Sequence, residues 1–461
     1  MRPLEVVLLV TTVLAAGAMI GAKRPKPSLA VVALALPVPA AVVQWLVEGP
    51  RWQLLPLQLA ATVIMITSAA ALLRRSPVPA QRSITCLTAV LVAIGGGLAW
   101  ALPVAELPPP QGRSAVGTVS LTVTDPVRSE RFGPVPRAPR QVVIQVWYPA
   151  DPHTAAEPVP LVSNTAEFWR TAAEQLDLPR FTLDHLTLVH SHATELAPPD
   201  PRLPKQLPVV LYSHAWSGLR SAQHDLLQSL ASHGYAVIAV DHTFGALATT
   251  FPDGRVAALD PAALPEERVQ DAEAALVSTF AADLVLVLDH LADNEIAPLE
   301  GRFDLDRVAL LGHEAGGGAA VLACAKAVRC GAVVTFDPRV SALPDEVIGA
   351  GLDVPLLSIR SEEWANRDVD ARLRRLHAAS DAHEGRVEIR GARHHDFTLL
   401  PLLTPLAPNL GLSGDTPGQR TREIVDEWTR RFLDHHLRGQ GTDPLLVPPE
   451  HAECRLEKAP R

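Results

Sequence analysis

Four apolar stretches crowd the first hundred residues, running 4–22, 29–47, 53–73 and 83–103. A helix needs about 20 apolar residues to cross the hydrocarbon layer of a bilayer. Charges are nearly absent inside these stretches, and Glu5 lies near an end. Gly95, Gly96 and Gly97 fall within the fourth, and membrane helices carry glycine more often than soluble ones. Residues 1–105 are therefore expected to form a transmembrane region of about four helices. A cleaved signal peptide followed by core helices is the alternative, but a signal peptide supplies one apolar segment, not four. Pro37, Pro39 and Pro56 interrupt the second and third stretches, which leaves a count of three open.

The loops give an orientation. The first carries Lys23, Arg24 and Lys26, and the third carries Arg74, Arg75 and Arg82, whereas the second has only Arg51. The positive-inside rule places the first and third loops in the cytoplasm. Four crossings then put the N-terminus and everything after residue 105 outside the cell membrane.

The remainder reads differently. "ELPPPQGRSA" (106–115) is a stiff linker. Beyond it, continuous apolar runs of strand length alternate with helical stretches. "RQVVIQVWYPA" (140–150), "LPVVLYSH" (207–214), "YAVIAVDH" (235–242), "DRVALLGH" (306–313), "GAVVTFDP" (331–338), "VPLLSIRS" (354–361) and "GRVEIRGARHH" (385–395) are the strands. Helices are expected at 223–234, 271–294 and 421–437. Apolar strands separated by helices make a parallel sheet covered on both faces. The domain is bounded at 116–445, with 446–461 as a C-terminal tail.

A net charge of −9 over 461 residues argues against a nucleic-acid partner, because no basic cluster is large enough to neutralise a run of phosphates. Neither a Cys-x-x-Cys pair nor His-Glu-x-x-His occurs, so no zinc motif stands out. Cys324 and Cys330, six apart, are either a disulfide, if they lie outside the cell, or two buried thiols.

The stretch "RVALLGHEAGGGAAVLAC" (307–324) is a strand, a glycine turn and a small-residue helix. Its turn has the form of the G-x-S-x-G nucleophile elbow, with Gly312, His313, Glu314, Ala315 and Gly316 in the five places. Together with several other stretches it resembles the α/β-hydrolases, and among them the bacterial relatives of plasma-type platelet-activating factor acetylhydrolases. "VTDPVRSE" and "VWYPAD" resemble that group's entry segment. "LPVVLYSHAWSGLRS" resembles its oxyanion-hole strand and turn, and "LASHGYAVIAVDHT" the helix and strand that follow. "VVTFDP" resembles the acid-bearing strand, and "GARHHDFTLLPLL" the histidine loop. The likeness covers residues 116–440 in collinear order and says nothing of 1–105. It implies an α/β-hydrolase fold with a mostly parallel central sheet and helices on both faces, and no metal or organic cofactor.

The catalytic positions carried over are Glu314 at the elbow, Asp337 as the acid and His394 as the base, with His395 as an alternative to His394. The oxyanion hole falls to the backbone N–H groups of Trp216 and Ala315. Gly312 and Gly316 are the elbow glycines. The departure from the pattern is Glu314, where the family has serine. A glutamate attacking an acyl carbon gives an anhydride, whereas carboxylates serve better against saturated carbon, as in the haloalkane dehalogenases and epoxide hydrolases with Asp at the elbow. Tyr148, Tyr212 and Tyr235 all fall on or beside core strands, which leaves no lid tyrosine to protonate an epoxide oxygen. The expectation is hydrolysis of a lipid or short-acyl ester by a membrane-anchored domain. The alternatives are a non-catalytic relative binding a lipid or protein partner, or a carboxylate-nucleophile hydrolase. A transporter does not fit spans with so few polar residues.

Overall fold

The computed structural model describes residues 1–20, 31, 35–74, 81–135, 137–154, 157–263, 269–326, 329–365, 369–380 and 384–458. The chain divides into two compact units. The first holds Met1–Ala105 with Phe181–Val189 and Leu403–Leu406, and the second holds the rest.

The first unit is helical: α1 (Pro3–Ile20), α2 (Pro37–Glu48), α3 (Leu55–Arg74) and α4 (Gln81–Ala101). Among the described residues two segments here, Trp52–Ala70 and Arg82–Ala101, are long and apolar enough to cross a membrane. The apolar part of α1 is shorter. Of the second expected span, 29–47, residues 29, 30 and 32–34 lie outside the described residues, and the described part includes the 12-residue α2, about 18 Å long at the α-helical rise. Pro37 and Pro39 sit at its start, where a missing N–H costs nothing. Lys23, Arg24, Lys26 and Arg75, on which the orientation rests, lie outside the described residues. Charge is not absent from this unit. Arg51 and Glu5 form a buried pair at 2.5 Å, and Arg2 reaches Glu5 at 3.0 Å.

A third segment of membrane-crossing length and apolarity, Asp271–Asp293, belongs to the second unit. It packs Leu276, Phe280, Leu284, Val287 and Leu291 into the core beneath the sheet.

Among the described residues the second unit is built on one ten-stranded sheet. Its strands are β1 (Ala115–Ser129), β2 (Pro139–Ala150), β3 (Ala193–Glu195), β4 (Leu207–Ser213), β5 (Ala236–Asp241), β8 (Phe303–His313), β9 (Ala332–Phe336), β10 (Leu356–Ser361), β11 (Glu384–Ile389) and β12 (Cys454–Glu457). A small hairpin, β6 (Ala248–Thr250) with β7 (Val256–Ala258), stands apart. The sheet order is β12-β11-β10-β9-β8-β4-β5-β2-β1-β3. From β5 through β4, β8, β9 and β10 to β11 every pairing is parallel. Antiparallel pairs flank this block, β2 with β5 on one side and β12 with β11 on the other. Residues 446–461, read as a tail, thus supply an edge strand.

Strand alternation sorts the side chains to two faces. Val209 and Leu211 of β4 and Leu310 of β8 enter one core, with α6 (Val269–Asp293) and α7 (Ala315–Cys324). Val210 and Tyr212 of β4 with Ala309 and Leu311 of β8 enter the other, with α5 (His224–Ser232) and α8 (Gly418–Arg438). Burial on both faces is why these strands read as unbroken apolar runs. Tyr148, Tyr212 and Tyr235 are fully buried. Cys324 and Cys330 are joined in a disulfide, with Cα atoms 5.4 Å apart.

Candidate active site

The site forms where the parallel strands end. Strand β8 stops at His313 and α7 begins at Ala315, leaving Glu314 alone to make the reversal. Its φ of 54° and ψ of −112° lie where a side chain is strained by about 1–3 kcal/mol. Three backbone bonds hold it there. Glu314 N–H donates to Phe336 at 2.9 Å, and its carbonyl accepts from Gly318 at 3.1 Å and Arg339 at 2.8 Å. The two elbow glycines are required by space. A Cβ on Gly312 would sit 2.0 Å from the Gly316 carbonyl oxygen, and one on Gly316 would sit 2.2 Å from that of Ser213.

The direction of the Glu314 side chain decides what the site can do. Its Oε2 accepts the Ala315 N–H at 2.6 Å and the Trp216 N–H at 2.9 Å. These are the two N–H groups the sequence assigned to an oxyanion hole. Its Oε1 pairs with the Arg339 guanidinium through Nε and Nη2, and Arg339 reaches on through Nη1 to Glu273. The Glu314 residue is 4% exposed. Burial disfavours the Arg339 charge, but the carboxylates of Glu314 and Glu273 outweigh it and raise the pKa.

The Trp216 N–H is aimed by a buried imidazole. His214 Nδ1 donates to the Ala215 carbonyl at 2.7 Å, and Gly218 N–H donates to the same oxygen at 2.8 Å. A trans peptide points its N–H opposite its carbonyl, so fixing Ala215 C=O fixes Trp216 N–H. His214 Nε2 accepts the His242 N–H at 3.1 Å. Burial, the largest influence, pushes His214 down and keeps that nitrogen a lone-pair acceptor. His242 bonds Ser213 at 2.8 Å and Asp283 at 3.0 Å. It also stacks on Phe280 at 3.8 Å. Burial holds His242 at about 3. This Ser–His–Asp chain is sealed from solvent and supports the strand end beneath the turn.

On the opposite side His394 Nδ1 meets Asp337 Oδ2 at 2.9 Å. His394, not His395, makes this bond. Asp337 follows β9 with φ 42°, and its carboxylate also accepts Ser361 N–H at 2.8 Å and Ser361 Oγ–H at 2.7 Å. The His394 ring lies between His313, at 4.5 Å, and Trp364, at 4.8 Å, both stacked. His313 is fully buried and held well below the usual histidine range, first by desolvation and then by His394. Neither of its ring nitrogens has a hydrogen-bond partner among the described residues.

The structure thus gathers Glu314, Asp337, His394, Trp216 and Ala315 at one sheet end, but not as a closed triad. The Glu314 carboxylate bonds the two N–H donors and Arg339, and no hydrogen bond links it to His394 among the described residues. Sequence reasoning missed Arg339, Glu273, Ser361, His313 and Trp364. The signal for Arg339 was present, since a carboxylate buried at a turn calls for a cation and an arginine stands two residues after Asp337.

Known proteins share this architecture. A family model described as platelet-activating factor acetylhydrolase, isoform II, matches residues 105–276 and 281–442. The platelet-activating factor acetylhydrolase of Canis lupus familiaris is 24% identical over 261 residues, covering 51% of this chain and 58% of its own length. That of Bos taurus is 24% identical over 263 residues, with the same shares. The chain therefore spans less than two thirds of these relatives. A ferulic acid esterase from Streptomyces cinnamoneus superposes with a TM-score of 0.64 at 27% identity, over 77% of this chain and 100% of that one.

Proposed function

Since the chain belongs to the platelet-activating factor acetylhydrolase isoform II family, we propose that it is a membrane-anchored, ester-recognising hydrolase whose site rests closed, with Glu314 as the closing group. The family and the esterase neighbour point to ester hydrolysis. The substrate class put forward is a lipid or short-acyl carboxylic ester. One observation carries the closed state: Glu314 Oε2 occupies both oxyanion donors.

Hydrolysis of an ester develops negative charge on its carbonyl oxygen, and that oxygen needs those donors. Losing one such donor costs about 10²–10³ in rate. Turnover therefore requires Glu314 to leave the hole. Water then attacks the acyl carbon while His394 takes its proton, with Asp337 holding the imidazolium. The oxyanion sits between Trp216 and Ala315, and collapse expels the alkoxide, which is protonated by His394.

The test uses the full chain in detergent with short p-nitrophenyl esters. Wild type turns over slowly or not at all, and Glu314→Ser gains at least about 10²-fold. The added His394→Ala change removes the gain. Efficient wild-type hydrolysis abolished by Glu314→Gln would instead make the carboxylate the working group. No gain in Glu314→Ser would leave binding without turnover as the role.

A second reading has its own observation. With Oε2 in the hole, Oε1 is the oxygen left to attack saturated carbon, and the resulting ester carbonyl already sits between its stabilising donors. The Arg339 pairing of Oε1 weighs against it. Mass spectrometry of His394→Ala with an alkyl halide decides it by the presence or absence of an ester on Glu314.

Membrane anchoring through residues 1–105 is part of the proposal. It is supported by the lengths of α3 and α4 and by the outward apolar side chains Val10, Leu46, Val47, Leu59, Ile66 and Ile94, a surface that water disfavours. An extracytoplasmic second unit is consistent with its disulfide. Protease added to intact cells should cut it, and protection until lysis would reverse the orientation.

A further inference from the structure

Far from the elbow along the chain, the segment "DHHLRGQGTD" (434–443) closes helix α8 and turns back on itself. Gly439 caps the helix at φ 66°, and Gly441 follows at φ 71°. These two left-handed glycines return the chain so that Asp443 faces the last helical turn. One donor atom each from His435, His436 and Asp443 then lies within 4.8 Å of the others. We propose that these three side chains bind a divalent cation of the zinc class.

Five features of the geometry point this way. His436 Nε2 and Asp443 Oδ1 are 3.8 Å apart. That is long for a hydrogen bond, yet close to the about 3.4 Å separating two ligands on a tetrahedral zinc with bonds near 2.0–2.2 Å. His435 Nδ1 donates to the Gly441 carbonyl at 3.2 Å. A ligating histidine characteristically gives its other N–H to a carbonyl, which fixes the tautomer and here leaves Nε2 with the lone pair. Asp443 is 1% exposed, and its carboxylate is oriented by the Leu445 N–H at 2.9 Å. The His436 ring is braced by Phe432 at 4.4 Å. Lastly, the site caps the C-terminal end of a 21-residue helix, where the macrodipole favours a cation. Two imidazoles and one carboxylate suit zinc better than calcium or magnesium, which prefer all-oxygen shells. Three protein ligands leave the fourth position to water. The spacing, with two adjacent histidines and an aspartate seven residues after the second, matches no contiguous zinc motif, which is why it is silent in the sequence. Bound metal would tie the end of α8 to the turn that leads into β12.

The inference does not depend on the esterase reading, and neither does its test. The full chain in detergent is stripped with chelator and titrated with Co²⁺. One equivalent should develop the visible bands of a tetrahedral site, and Zn²⁺ should bleach them. His436→Ala and Asp443→Asn should each weaken Co²⁺ affinity at least about 10-fold. Because Asp443 also orients the turn at 444–446, His435→Ala serves as the partly exposed control that keeps the fold and still loses the bands. No visible bands in the wild type, or bands unchanged in the His435→Ala/His436→Ala double variant, would overturn the assignment.

Discussion

Removing the Arg339 side chain tests the central geometric claim most directly. Arg339→Leu keeps the backbone N–H that bonds the Glu314 carbonyl but deletes the cation shared by Glu314 and Glu273. Breaking a buried ion pair by deleting one partner costs about 3–5 kcal/mol. Here the lower end applies, about 3 kcal/mol, because Glu314 retains two N–H donors and the Arg339 side chain is 24% exposed, so water screens part of the loss. Glu314→Gln is milder, about 1–2 kcal/mol, since Arg339 keeps Glu273 and the amide oxygen still accepts from the hole. The double variant has no stranded carboxylate at 314 and should cost at least about 1 kcal/mol less than the sum of the singles. Urea unfolding in detergent, followed by tryptophan fluorescence, supplies the four midpoints. An Arg339→Leu midpoint equal to wild type, or strict additivity in the double, would refute the view that a buried carboxylate at 314 depends on this arginine.

Four further outcomes follow from the structure. Gly316→Ala should lose about 3 kcal/mol or fail to fold, because its Cβ meets strand backbone at 2.2 Å. Gly349→Ala, with nothing within 4 Å and a helical position, should gain about 0.5–1 kcal/mol in the same unfolding assay. Reducing Cys324–Cys330, or replacing both with serine, should lower stability by about 2 kcal/mol for so short a loop, read as a shift in denaturant midpoint. His224 and His242 are each held at about 3 by burial. The unfolded chain takes up protons that the native state refuses, so stability is intact above pH 6.5. Each ring removes up to about 1.4 kcal/mol per pH unit as pH falls from 6.5 towards 3. A denaturant midpoint unchanged between pH 7.5 and 5 would contradict that burial.

Much of this was readable from the chain because the relevant physics is local. Strands β4, β8 and β9 are buried on both faces, so their apolar runs are continuous, and the glycines at 312 and 316 mark the close approach of the elbow to its neighbours. What the residues alone left undecided depended on contacts distant in sequence. The three-residue spacing to Phe397 favours His394 over His395 in the sequence, and the reach to Asp337, 57 positions away, is the contact that the adjacent letters could not show. The direction of the Glu314 side chain depends on Trp216, 98 residues upstream, and on Arg339, 25 residues downstream. The strand at 454–457 was missed because an edge strand of four residues has little periodicity to show. The helix at 271–293 has a membrane-like composition because it lies against the sheet with a large apolar face.

The carboxylate at the elbow also bears on how such a protein is found. Fluorophosphonate and related labels report esterases by capturing an activated hydroxyl, and position 314 has none to offer. A proteome surveyed with those labels would therefore pass over this chain while marking its serine-bearing cousins. In this chain the added carboxylate is matched by an arginine two positions beyond the acid, and that pairing gives a second position by which to search for relatives with the same substitution.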